Sequence, residues 1–402
     1  MPTPPTARVI TAFLAAFCVL APAIGSAQET REGIIVAQQT DKAAHPPPET
    51  KTKPEIVLDY VGKFLTPKPR GVFPVFDSVY AGGSLTLGAG YGWAYGDKSM
   101  FAVRGLYSIK NYKLFDALTR SPGHMNGHLT LFANAGWRNA TEAAFYGLGM
   151  ATSLANRSDS DLKETYARGD AELRPNDWSV FNGSVGLEAY IIGPSHGDDR
   201  STEGSLTPEE APGLGADPTY IHSRATAGID TRPSPGYART GGYYAATIHN
   251  YTNTNGAFDF NRLDGEAVQH IPILRETWVV SLRGKVQSTL GDDLGDTPYF
   301  LLPSLGSGST LRGYTSWRFR DRHSLLTQGE FRWIPNRLGM DMAVFYDAGK
   351  VAPRFDGLSF KGLAHDWGVG VRFHGPSFTP LRLEVARGSE GVNLVFSGNA
   401  AF

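Results

Sequence analysis

The residues best suited to chemistry in this chain are charged groups set among apolar neighbours. Leu311-Arg312-Gly313-Tyr314 lies between Gly306-Ser307-Gly308-Ser309 and the run Arg318, Arg320, Asp321 and Arg322, and two acids, Glu330 and Asp347, follow. An arginine offers five donors in a flat fork, which suits bidentate pairing with carboxylates where water is scarce. That is chemistry for holding a structure and not for turnover. A serine hydrolase needs Ser and His within hydrogen-bond reach and a third group to orient the base. His249, His270 and His323 have no obvious serine partner, and no Gly-x-Ser-x-Gly elbow occurs. Asp292, Asp293 and Asp296 lack the spacing of a calcium loop and read as solvated loop charges; no zinc spacing or phosphate loop is present. Gly88-Ala89-Gly90-Tyr91-Gly92 opens no helix and reads as close strand packing, not as a dinucleotide loop. The expectation is no enzyme, no metal and no cofactor.

The chain's destination is read from its first residues. A single Arg8, the apolar stretch Val9 to Leu20 and the small residues Gly25-Ser26-Ala27 form a secretory signal peptide over 1–27. Cys18, the only cysteine, falls inside that leader after the bulky Phe17, so the mature chain is expected to carry neither thiol nor disulfide. Residues 28–70 are polar and proline-rich, with Pro46-Pro47-Pro48, and read as an extended, largely disordered tail in the periplasm. Ile56-Val57-Leu58 and Tyr60-Val61 could tether it. The net charge of −1 gives no basic field for nucleic acid.

Positioning charged side chains among apolar ones is the work of strands of period two. Trp278, Val280, Leu282 and Val286 alternate with Thr277, Ser281, Arg283, Lys285 and Gln287, in a strand of roughly ten residues, the length that crosses a membrane at a tilt. Similar segments run near 84–93, 101–109, 129–138, 143–153, 163–173, 178–191, 220–230, 241–251, 257–269, 324–334, 338–349, 366–373, 380–387 and 391–402. Long connections such as 193–218 and 290–323 contrast with the tight Pro335-Asn336-Arg337 turn. The fold expected for 71–402 is an all-β, transmembrane antiparallel β-barrel of about 16 strands, with 14 as the alternative. It should sit in the outer membrane of a Gram-negative-type cell, in contact with lipids and lipopolysaccharide.

Parity assigns faces. Phe331, Trp333, Met340, Met342, Val344 and Tyr346 point to lipid, so Gln328, Glu330, Arg332, Asp341, Phe345 and Asp347 point into the lumen. Val392, Leu394, Phe396, Ala400 and Phe402 share the lipid parity of the final segment, whose terminal aromatic residues, Phe396 and Phe402, are expected to serve as an assembly signal.

These motifs together resemble the BamA/TamA superfamily of outer-membrane proteins, also called the bacterial surface antigen family. The resemblance rests on Gly228-Ile229-Asp230-Thr231-Arg232, Leu311-Arg312-Gly313-Tyr314, Gly329-Glu330-Phe331-Arg332, Phe345-Tyr346-Asp347-Ala348-Gly349 and Gly368-Val369-Gly370-Val371-Arg372, and more weakly on 145–149. It implies that loop 291–323 folds into the lumen and that Arg312 pairs there with Glu330 and Asp347. It also implies a part in protein or lipid insertion or translocation. The departure is that 28–70 is too short for the periplasmic POTRA-type domains of about 75 residues that such barrels usually carry. Client capture would then need the tail or a periplasmic adaptor, and a second copy could pair at the seam where the first and last strands meet. Two other readings stand beside this one: a passive pore lined by Arg104, Arg138, Arg283, Lys285, Arg372, Arg382 and Glu384, and, less favoured, a membrane-embedded hydrolase.

Overall fold

A computed structural model describes residues 70–401 apart from 97, 196, 198–199, 275, 292–293, 336–338, 376–377, 380 and 399–400. The leader, the proline-rich tail, Ala400 and Phe402 lie outside the described residues. The chain divides into the units Met1–Lys53 and Pro54–Phe402, and every described residue belongs to the second.

The strands are β1 (Gly71–Val75), β2 (Thr86–Tyr95), β3 (Ser99–Ser108), β4 (Lys113–His124), β5 (Leu129–Phe145) and β6 (Ser158–Leu173). They continue as β7 (Ser179–Pro194), β8 (Thr219–Asp230), β9 (Gly241–Asn253), β10 (Phe260–Ile273), β11 (Trp278–Leu290), β12 (Ser304–Leu305) and β13 (Phe319–Arg320). The last are β14 (His323–Trp333), β15 (Met340–Ala352), β16 (Ala364–Phe373), β17 (Leu381–Gly388) and β18 (Gly391–Ser397). All except β12 and β13 join one antiparallel sheet of 16 strands in chain order, while β12 and β13 pair with each other inside the loop between β11 and β14.

Two expectations need correction. Residues 143–153 are not a strand of their own: β5 runs to Phe145 through a register shift between Ala140 and Ala143, and the chain then leaves the sheet. In exchange, β1 and β4 had no counterpart among the expected segments. The cause is an apolar interior on this side of the sheet. Phe73, Val75, Leu106, Leu114, Ala140 and Leu162 pack into one buried cluster, so both faces of β1, and of β4 around Leu114, are apolar and the alternation fades. Phe115, for example, faces out beside the inward Leu114.

Elsewhere the outer face is an apolar band. Val344, Val369, Val385 and Leu394 lie opposite one another across β15 to β18 in a single row. Tyr346 and Trp367 form the row on one side, and Trp333, Met342, Leu383 and Phe396 lie on the other. Trp333 stacks on Trp278 at 5.7 Å, the kind of aromatic girdle that marks a membrane interface. The fold is a transmembrane antiparallel β-barrel, and an arginine in the central row should be costly. We expect Val369→Arg, at a position 50% exposed to lipid, to destabilise the barrel by about 2–4 kcal/mol, read from its unfolding midpoint in urea.

The ends of the barrel differ. The chain enters β1 and leaves β18 at the end that carries the short connections 96–98, 174–178 and 274–277. The opposite end carries 146–157, 195–218 and 291–322. The sheet curls until Gly398, just beyond β18, meets the Phe76 carbonyl just beyond β1, yet among the described residues no ladder joins β1 to β18.

Candidate functional site: the lumen loop and its ion cluster

The loop over 291–322 carries its tip back into the lumen, and apolar contact holds it there. Leu311 is buried with Leu305, Tyr314, Phe319, Leu326 and Val351. The β12–β13 pair closes the base of this fold by joining Ser304 to Arg320 and Leu305 to Phe319. Backbone groups of the loop find partners on the wall. The Thr310 carbonyl accepts from Gln328 Nε2 at 2.7 Å, the Ser309 carbonyl from Arg283 Nη1 at 3.0 Å, and the Gly308 carbonyl from Arg382 Nη2 at 2.8 Å. A buried loop is tolerated only with its polar groups satisfied in this way.

Arg312 is fully buried, and its guanidinium meets three carboxylates. Nε donates to Asp347 Oδ2 and Nη2 to Asp347 Oδ1, both at 2.7 Å, which is the bidentate fork. Nη1 reaches Glu330 Oε2 at 3.1 Å and Glu384 Oε1 at 3.3 Å. The flat face lies 3.4 Å from the centre of the Phe345 ring. Burial by itself would make the guanidinium release its proton more easily. The hydrogen bonds and charge of Asp347, with Glu384 and Glu330, outweigh that and hold it above its ordinary value.

Strand register explains why these groups meet. Gln328 stands opposite Asp347, and Glu330 sits two residues further along the same inward face of β14. Arg372 stands opposite Arg382, a repulsive pair on neighbouring strands. Arg372 bonds both oxygens of Glu330 and donates to Glu384 Oε1 at 2.8 Å, while Arg382 lies 3.4 Å from Glu384 Oε2. Three arginines (312, 372, 382) thus face three acids (330, 347, 384), and a fourth, Arg332, lies 3.7 Å from Glu330 Oε1.

The structure therefore brings together Arg312, Glu330 and Asp347, and adds Glu384 and Arg372. Inward parity had placed these two in the lumen, but only the register of β16 and β17 puts them against Arg312. Gly313 lies against the backbone of β17, and the Tyr314 hydroxyl donates to the His365 carbonyl at 3.2 Å and meets Ser389 Oγ at 3.0 Å. Phe396 points outward on β18.

The same loop reaches both edges of the sheet. On the last hairpin, Asn393 Nδ2 donates to the Arg312 carbonyl at 2.9 Å and Arg318 pairs with Glu390 at 2.7 Å. On the first strand's side, Trp317 packs on Tyr80 with ring centres 6.4 Å apart, and Ser316 lies against Gly82. Tyr80 in turn donates to Glu164 Oε2 at 2.7 Å beneath the Arg138 guanidinium, 4.1 Å from its ring. Nothing in the sequence pattern pointed to the 76–85 connection entering the lumen.

Other lumen charges are also paired. Arg104 bonds Asp116, Arg138 bonds Glu164, and Arg283 bonds Glu266. The expectation that the histidines lack serine partners is overturned for two of them. His270 Nδ1 lies 2.8 Å from Ser281 Oγ and His323 Nδ1 lies 2.7 Å from Ser288 Oγ, because each pair stands directly opposite across a ladder. Both serines are buried in the wall. No group of three or more His, Cys, Asp or Glu among the described residues is placed to hold a metal ion, and Asp292 and Asp293 lie outside those residues.

Comparison with known proteins agrees with this geometry. The barrel is similar to the crystal structure of BamA from Haemophilus ducreyi lacking POTRA domains 1–3, with a TM-score of 0.59 and 13% identity over 81% of this chain and 68% of that one. It is also similar to CdiB from Escherichia coli, with a TM-score of 0.55 and 14% identity over 82% of this chain and 62% of that one. The chain thus spans less than two thirds of the CdiB structure. A sequence search of curated proteins gave no match. The family match falls on the part of the barrel that holds Arg312 and all three of its carboxylates: residues 222–392 match the model of the Omp85 superfamily domain.

Proposed function

We propose that this barrel acts in the outer membrane to insert proteins or lipids into that membrane or pass them across it. The observation that carries the proposal is the way the sheet's two edges are held. Among the described residues no ladder links β1 to β18, and loop 291–322 bridges them from inside, on Asn393 and Glu390 at one edge and Tyr80 at the other. Each unpaired backbone group facing hydrocarbon costs several kcal/mol. A seam fastened by side chains can part for a client strand that satisfies those groups. A passive pore is the poorer reading, because Arg104, Arg138, Arg283, Arg372 and Arg382, which would line it, are held in ion pairs and the lumen is occupied by the loop.

In this reading residues 1–27 export the chain, the 28–70 tail lies in the periplasm, and the apolar band meets lipid and lipopolysaccharide. Phe396 and Phe402 mark the last strand for assembly. A client comes by way of the tail or an adaptor, and a second copy could dock at the seam.

The test is a scan of cysteine pairs joining β1 to β18, with the outer-membrane proteome as the readout after depletion of the native protein. Oxidised, locked variants should fail to restore it and reduction should rescue them. Full function with the seam locked, or a large stable conductance in planar bilayers that ignores changes to the Arg312 loop, would count against this role.

A further inference from the structure

The connection between β8 and β9, residues 231–240, is at the short-turn end and is longer than a hairpin needs. Its extra residues are pinned far from their own strands. Ser234-Pro235-Gly236-Tyr237 forms a β-turn, with the Tyr237 amide donating to the Ser234 carbonyl at 3.1 Å, and proline and glycine occupy the two central positions. The turn thrusts Tyr237 across the mouth of the barrel. Its hydroxyl donates to the Asp341 carboxylate, 2.9 Å from Oδ1 and 2.8 Å from Oδ2, at the start of β15. Its ring stacks on His374 at 3.9 Å with the planes 7° apart, and His374 Nε2 lies 3.1 Å from the same carboxylate.

Two further contacts fix the backbone of the turn. Thr379 Oγ1 donates to the Gly236 carbonyl at 3.1 Å, and Arg332 Nη2 donates to the Ala238 carbonyl. From β9 to β15 is four strand spacings along the wall, roughly 19 Å at ~4.8 Å each, so the connection cuts across the opening and does not follow its rim. At its root, Asp230 is held by Arg232 at 2.9 Å and Arg174 at 3.2 Å. Behind it remains a small polar cavity lined by Tyr237, His270, Ser281, Glu330, Arg332 and Arg372, with room for about one water.

We infer that residues 231–240 are a strap that shuts the periplasmic mouth of the lumen, and that the Tyr237–Asp341 contact is its latch. The strap lies directly over the floor of the ion cluster, since Arg332 and Glu330 line the cavity beneath it. Anything reaching the cavity above Glu330 and Arg332 from the periplasm has to release Tyr237 from Asp341 first. This holds whether the barrel inserts proteins or does something else, because it concerns access to the lumen and not the seam.

The experiment uses the full chain, refolded in detergent, with Cys18→Ser and a reporter Ser281→Cys behind the strap. The rate of labelling by a charged maleimide is compared among the parent, Tyr237→Phe, and a variant with 233–238 replaced by two glycines. Tyr237→Phe keeps the ring on His374, so the fold should survive, and heat-modifiability on gels verifies this. Labelling should be at least about tenfold faster in Tyr237→Phe, the factor expected for loss of a hydrogen bond to a charged partner. It should be faster still with the shortened turn. A Tyr237→Phe rate equal to the parent's overturns the inference whatever the shortened turn does. Because no insertion activity is measured, the result is independent of the seam.

Discussion

Arg312→Ala should destabilise the folded barrel by about 3–5 kcal/mol, the cost of leaving buried charge without its partner. Asp347 and Glu330 are buried to within a few per cent, as is Glu384. Removing Arg312 takes both bonds from the Asp347 fork and leaves that carboxylate without its cation where water is scarce. Arg372 cannot compensate, since it is already spent on Glu330 and Glu384. Arg312→Lys should fall in between: the charge stays, but a single ammonium cannot reproduce the fork or the stacking on Phe345. The measurement is the urea midpoint of the folded, heat-modifiable form. An unchanged midpoint for Arg312→Ala would show that the cluster contributes nothing to holding the loop.

The second large effect comes from one methyl group. A Cβ at Gly313 would lie 2.5 Å from Asp366 Cβ, 2.6 Å from the Gly388 amide nitrogen and 2.8 Å from the Arg387 carbonyl carbon. These atoms belong to the wall of β16 and β17, which cannot yield as the tip of a side chain can. Gly313→Ala should therefore push the loop tip off the wall at a cost of about 1–3 kcal/mol, with Arg312 and Tyr314 displaced on either side. Limited proteolysis reads this directly, as rapid cleavage within 291–322 while the strands stay protected. Gly308→Ala is the control. Its Cβ would press mainly on the Val395 side chain, with Cγ1 2.5 Å away, so rotation of that side chain relieves the contact and cleavage should stay slow.

What the sequence disclosed depended on whether a residue's position follows from its own strand. Glu330 and Asp347 point inward because a strand alternates, and six residues of apolar partners suffice to show it. Arg312 lies in a loop with no period, and only its resemblance to a family motif linked it to those acids. Glu384 and Arg372 were visible as lumen residues, but their meeting with Arg312 depends on register, which no single strand carries. The strands that escaped notice, β1 and β4, turn large apolar residues inward: Phe73, Val75 and Leu114 pack into the lumen cluster and weaken the contrast that parity relies on, although β4 also turns Asp116 inward. Tyr237, Asp341 and His374 meet across more than a hundred residues of chain, and no local signal announces them.

The loop's remote contacts also bear on how the barrel is made. Thr315 bonds Tyr146 and Arg318 bonds Thr152, contacts that join residues 169 and 166 apart in sequence. Neighbouring strands can zip pair by pair, but these bonds form only after most of the chain has gathered, when the entropy of closing such long loops has already been spent. Docking of the loop is therefore expected to follow the pairing of the strands it touches. Until it happens, the arginines and acids of the lumen stay hydrated in a nascent wall that is paired but still hollow.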